Sequence, residues 1–100
     1  MGTVVNYERH GQVGVIRINN PPVNALSHAV RSGIVDALAT AAADDSSAVV
    51  LCCEGRTFIA GADITEFGKP PQAPSLPDLL HVLDHHPKLT VAAIHGTALG

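Results

Sequence analysis

Residues 48–67 read AVVLCCEGRTFIAGADITEF. The first six are apolar without alternation, the pattern of a strand covered on both faces, as in a parallel sheet. Glu54 to Phe67 then reads as a loop, and loops that follow such strands commonly bind ligands in α/β folds. Gly61 permits a backbone turn barred to other residues. Ala60 and Ala62 are too small to shield the main chain, and Asp63 and Thr65 can open a short helix. N–H groups exposed at such a start suit an anion or a developing oxyanion. An ordinary tight turn has the same pattern. Cys52 and Cys53 are adjacent, a spacing that rarely bridges. They read as small buried hydrophobes in a reducing compartment.

Upstream, residues 3–8 (TVVNYE) and 12–18 (QVGVIRI) are β-rich and read as a hairpin around Arg9 to Gly11. In the second run Val13, Val15 and Arg17 share one face and Gly14, Ile16 and Ile18 the other. Asn19 to Asn24 (NNPPVN) breaks regular structure, because proline removes backbone donors and asparagine favours turns. Ser27 is the expected N-cap of a helix over 28–43. Its apolar stripe is Ala29, Val30, Gly33, Ile34, Ala37, Leu38, Ala41 and Ala42, with Arg31, Ser32, Asp36 and Thr40 on the other face.

Downstream, residues 68–77 (GKPPQAPSLP) read as a mobile surface loop. Ser75 and Asp78 have capping-box spacing for a helix over 76–86, with Leu76, Leu79, Leu80 and Leu83 on its buried side. Pro87 stops it. Residues 89–95 (LTVAAIH) are a second unalternated apolar run, expected to lie parallel to 48–53. Gly96 to Gly100 (GTALG) repeats the grammar of buried strand, glycine turn and small residues. Two such loops side by side could each supply one N–H to an oxyanion.

Six Lys and Arg against nine Asp and Glu, with one Tyr, two Phe and no Trp, argue against nucleic-acid binding. No apolar run reaches the roughly 18 residues of a membrane span, and no secretory signal is read at the N-terminus. At 46% hydrophobic and 15% charged, the chain reads as part of something larger. His81 and His85, four apart, have a spacing that can hold a metal, but no third ligand is evident. With His86 they read as a solvated polar face, and no metal is expected. His95 reads as a packed, hydrogen-bonded residue, His10 and His28 as surface or cap positions, and Glu54 and Glu66 as solvated acids near the loops.

Together these residues resemble the enoyl-CoA hydratase/isomerase (crotonase) superfamily. Asn20 to Leu26 (NPPVNAL) resembles its strand-to-helix signature, Phe58 to Ile64 (FIAGADI) its FxAGADI loop, and Val91 to Gly100 (VAAIHGTALG) its AAxxGxAxGGG segment. The order and spacing also match. The variant ADITEFGKP is similar to the hydratase part of multifunctional β-oxidation enzymes.

The resemblance implies an α/β, ClpP/crotonase-like spiral of ββα turns. Residues 1–100 would be the N-terminal part of one such domain, cut on its C-terminal side. It implies that the Ala62 backbone N–H is one oxyanion-hole donor and that Gly100 shapes the other half, whose donor follows it. Ala60, Gly61, Ala62, Asp63 and Ile64 would contact an acyl-CoA thioester substrate. The family's acid/base glutamates would lie downstream, so Glu54, Asp63 and Glu66 receive no such role, and residues 1–100 alone are expected to be inactive. The implied reaction is hydration of a trans-2-enoyl-CoA. Alternatives are another acyl-CoA enzyme of the superfamily (isomerase or thioester hydrolase) or an RNA- or protein-binding member. No covalent cofactor is implied, and NAD enters only with a downstream dehydrogenase portion. The intact protein would be a homotrimeric hydratase or a monomeric or oligomeric multifunctional enzyme, cytoplasmic in a bacterium or peroxisomal in a eukaryote.

Overall fold

The computed structural model describes residues 4–21, 23–70 and 72–98. Strands β1 (Val5–His10) and β2 (Val13–Ile18) form the expected antiparallel hairpin, followed by helix α1 (His28–Ala43). Strands β3 (Ala48–Cys53) and β4 (Thr57–Ile59), a 3-10 turn (Ile64–Glu66) and helix α2 (Leu76–Asp84) come next. Strands β5 (Leu89–Ala92) and β6 (Thr97–Ala98) close the order. The chain is thus two ββα units and the two strands of a third. β1, β2, β3 and β5 form one sheet in that order, and β4 pairs with β6 in a second.

β3 runs parallel to β5, as the sequence predicts, and also to β2 across α1. On β2 the alternation is as read, with Gly14, Ile16 and Ile18 buried. Ile16, Ile18 and Val49 meet the α1 stripe of Val30, Ile34, Ala37, Leu38 and Ala41, and Phe58 and Leu79 join this core. Cys53 is buried in it, which pushes its thiol up to about 12 and leaves it unreactive at neutral pH. Cys52 is half-buried, and both thiols are free.

The caps follow the sequence. The Ser27 hydroxyl accepts from the Val30 N–H at the start of α1, and Ser75 with Asp78 forms a complete capping box on α2. α1 has no acid in its first turn and no base in its last. Distant segments supply both. A Glu66 oxygen accepts from the His28 N–H (2.7 Å), and Lys88 Nζ donates to the carbonyls of Ala41 and Asp44. Each charge complements the helix dipole at its end. Asp44 also takes hydrogen bonds from Ser46 and Tyr7, which hold its carboxyl well below the usual range.

Several expectations are corrected. Arg31 was placed on the polar face of α1, yet it is 8% exposed. It lies three residues before Ile34 and seven before Leu38, on the core stripe itself. Ala29 and Ala42 are exposed instead. Leu80 is 55% exposed, and α2 ends at Asp84 rather than residue 86. Strand β5 is shorter than 89–95 and is not covered on both faces, since Leu89 (68%), Val91 (46%) and Ile94 (64%) are exposed. It is one of the sheet's two outer strands, and apolarity alone does not supply a covering layer. The stretch 54–67, read as a loop, contains β4. β4 and β6 span three and two residues, too short to show a period.

Candidate active site

The turn before α1 and the loop after β4 are built as one unit. The Leu26 N–H donates to the Gly61 carbonyl (2.8 Å), and the Ala60 N–H to the Val23 carbonyl (3.2 Å). Leu26 and Ala62 form an isolated parallel bridge. Gly61 is buried at φ 113°, a conformation that favours glycine. Ala62, next along, is exposed, and among the described residues no carbonyl is bonded to its N–H.

Asn24 is the hidden anchor of this unit. It is 2% exposed and sits at φ 54°. Its Nδ2 donates to the carbonyls of Glu54 (2.8 Å) and Thr57 (2.7 Å), and its Oδ1 accepts from the Asn20 N–H (2.7 Å). One amide therefore joins the NPPVNAL turn to both ends of the β3–β4 connection. In sequence it reads only as a turn former. Its signal was that asparagine tolerates positive φ better than other non-glycine residues.

Beyond Ala62 the chain turns sharply. Asp63 Oδ1 accepts from the Thr65 hydroxyl (2.7 Å) and the Thr65 N–H (2.9 Å), opening the 3-10 turn as the sequence predicts. The Thr65 hydroxyl, then its backbone, lowers the Asp63 pKa. Ile64 begins the turn. Glu66 is not a solvated acid. The His28 N–H, then Arg31, lowers its pKa. Arg31 Nη1 lies 3.0 Å from Glu66 Oε1 and 2.7 Å from the Leu26 carbonyl, and its Nε donates to the Pro74 carbonyl (2.8 Å). His28 Nε2 pairs with the Ala73 carbonyl (2.8 Å). Residues 72–74, read as part of a free loop, are thus fastened to α1.

A cleft of about 500 Å3 opens over this assembly. Ala62, Asp63 and Phe67 line it together with Arg31, Glu66, Lys69, Ser75 and Leu76. The second glycine loop comes alongside. β6 runs parallel to β4, pairing Thr97 with Thr57 and Ala98 with Ile59. Gly96 has φ 56°, and a Cβ there would lie 1.9 Å from the Arg56 carbonyl oxygen. Of the stretch Ala60 to Ile64, Ala62 and Asp63 line the cleft, whereas Gly100, with Pro22 and Leu99, lies outside the described residues.

His28 belongs to the frame of this cleft, and His10, His81, His85 and His95 stand apart from it. His81 and His85 stack on the exposed side of α2, ring centroids 4.1 Å apart, and His10 pairs with Glu8 at the surface. His95 is hydrogen-bonded to the Gly55 carbonyl but exposed rather than packed. Glu54 is an exposed partner of Arg17.

A sequence profile described as enoyl-CoA hydratase/isomerase matches residues 8–100. The chain belongs to the enoyl-CoA hydratase/isomerase family. It is 47% identical over 89 residues to the peroxisomal bifunctional enzyme of Danio rerio, covering 88% of this chain and 12% of that protein. It is 36% identical over 98 residues to the 2,3-dehydroadipyl-CoA hydratase of Escherichia coli, covering 92% and 38% respectively. The solved enoyl-CoA hydratase of Mycobacterium smegmatis superposes with a TM-score of 0.79 at 28% identity, over 93% of this chain and 40% of that one. The chain therefore spans less than half of each of these relatives. The repeated ββα order found here is the hydratase/isomerase fold read from the sequence.

Proposed function

We propose that residues 1–100 form the N-terminal part of an enoyl-CoA hydratase domain and carry one half of its thioester site. The Ala62 N–H is the first oxyanion donor. Ala60, Gly61, Asp63 and Ile64 line the path of the acyl-CoA, and Gly100 begins the turn that completes the second half. The observation that carries this reading is the Ala62 N–H itself. It has no carbonyl bonded to it among the described residues, its flanks are pinned by the Leu26 and Ala60 bonds, and it borders an open cleft.

A main-chain donor of this kind stabilises negative charge as the thioester oxygen becomes enolate-like, and it costs no reorganisation when the charge appears. The apolar Phe67 and Leu76 and the cationic Lys69 in the cleft's lining suit an acyl chain on an anionic carrier. The intact enzyme would add water across a trans-2-enoyl-CoA, with its acid and base supplied by residues outside 1–100. NAD would enter only with a downstream dehydrogenase portion. A peroxisomal setting in a eukaryote, or the cytoplasm of a bacterium, is the corresponding location. Among the described residues no helix is long and apolar enough to cross a membrane.

The test is a titration of the 100-residue chain with crotonyl-CoA and with CoA. Crotonyl-CoA should bind more tightly than CoA, and Ala62→Pro, which removes the donor, should abolish the difference. Hydration, followed as loss of enoyl-thioester absorbance, should stay at background. Equal affinity for the two ligands, or turnover by this chain, would overturn the reading.

A further inference from the structure

We infer that Arg31 and Glu66 are positioning residues for the thioester site: their ion pair clamps the chain on both sides of Ala62 and so fixes where its N–H points. This rests on the reading of the cleft given above.

Arg31 is in an unfavourable place for a cation. It lies in the first turn of α1, where the helix dipole opposes positive charge, and it is 8% exposed. An aliphatic residue there would simply extend the stripe of Ile34 and Leu38. What the guanidinium gains is a specific set of acceptors. Nη1 reaches the Leu26 carbonyl at 2.7 Å, and the Leu26 N–H in turn holds the Gly61 carbonyl at 2.8 Å. The same nitrogen reaches Glu66 at 3.0 Å, and Nε reaches the Pro74 carbonyl at 2.8 Å. The second Glu66 oxygen accepts from the His28 N–H at 2.7 Å. The five residues from Ala62 to Glu66 are thereby tied to α1 before they begin and where they end. All the short bonds of Arg31 go to protein acceptors, two of them on the segments that frame Ala62, so the role assigned to it is to position the loop.

The experiment compares the full chain with Arg31→Met, Arg31→Lys and Glu66→Gln. Two quantities are read: amide hydrogen exchange without ligand, and relative affinity for butyryl-CoA over CoA. Local opening raises exchange only at bonded amides whose contacts are lost, so the amides of Leu26, Thr65 and Glu66 should exchange about tenfold faster in Arg31→Met and Glu66→Gln. The core amides of Ile16 and Val49 should change by less than about threefold. The preference for butyryl-CoA should fall about fivefold while CoA affinity holds, and Arg31→Lys, which keeps the charge but loses the fork, should lie between. If Arg31→Met does not fold, the other two variants carry the comparison. Unchanged exchange at Leu26, Thr65 and Glu66, or an equal rise in loop and core, overturns the inference. If the unsubstituted chain shows no preference for butyryl-CoA, the thioester reading has failed, and exchange still decides whether the pair holds the loop.

Discussion

Replacing Asn24 by alanine should destabilise the fold by about 3 kcal/mol, and the structure shows where that figure arises. Asn24 is 2% exposed and makes three side-chain bonds of 2.7–2.8 Å to the backbone of Asn20, Glu54 and Thr57. Each net bond contributes about 1 kcal/mol, and a partner left buried and unpaired costs about 1–3 kcal/mol. Water can reach some of the freed groups, which keeps the loss from the bonds near about 2 kcal/mol. At φ 54° alanine also carries about 1 kcal/mol of left-handed strain that asparagine partly relieves. Asn24→Gly removes the bonds without the strain, so alanine should be worse than glycine by about 1 kcal/mol. Asn24→Asp keeps the shape but sets a carboxylate oxygen against two carbonyls. Its folded-state pKa must then rise above the unfolded value, so the deficit should shrink as pH falls through that raised value. The assay is urea denaturation followed by circular dichroism. With a slope near 1–2 kcal/mol per molar urea, the alanine midpoint should drop by about 1.5–3 M. An alanine variant within about 0.5 kcal/mol of the parent, or an aspartate variant indifferent to pH, would refute this role for Asn24.

Two further outcomes are expected. Gly96→Ala should cost about 2 kcal/mol or more, because φ is 56° and the new Cβ would lie 1.9 Å from the Arg56 carbonyl oxygen; loss of amide protection confined to β4 and β6 is the check. Acid should loosen the 63–66 turn before the core. Asp63 and Glu66 are held below their ordinary pKa values, first by the Thr65 hydroxyl and the His28 N–H respectively. Their stabilisation is therefore fully present above the unfolded carboxylate range, about pH 4, and is lost as pH falls through the lower folded values. Protection of the Thr65 and Glu66 amides, taken relative to their intrinsic exchange rates, that stays constant from neutral pH to well below that range would contradict it.

Much of this fold is legible in sequence, where one local rule decides. The period-2 pattern of Val13 to Ile18 sets the buried face of β2, and Ser27 and Ser75 mark both helix starts. The AVVLCC run and the LTVA run declare parallel neighbours. Burial is a different matter, because it depends on what stands opposite. Leu89 and Val91 are as apolar as Val49, yet they lie on an outer strand and stay exposed. Arg31 was misassigned by chemical type, although its spacing from Ile34 and Leu38 puts it on the core stripe. Its partners are 35 residues away at Glu66 and 43 away at Pro74, and no local pattern announces them. The candidate site divides in the same way. Gly61, Ala62 and Asp63 are visible as a motif, whereas the frame that holds them (Asn24, Arg31 and Glu66) appears only once the segments are folded together.

The central claim is that the Ala62 N–H receives a thioester oxygen. The most direct measurement is the amide proton of Ala62 in a 15N-resolved NMR titration, with crotonyl-CoA set against CoA. The account predicts that crotonyl-CoA shifts the Ala62 resonance and slows its exchange, with smaller changes at residues 60–64, while CoA leaves Ala62 nearly unmoved. An Ala62 amide that responds equally to both ligands, or to neither while the ligand binds elsewhere, would contradict it.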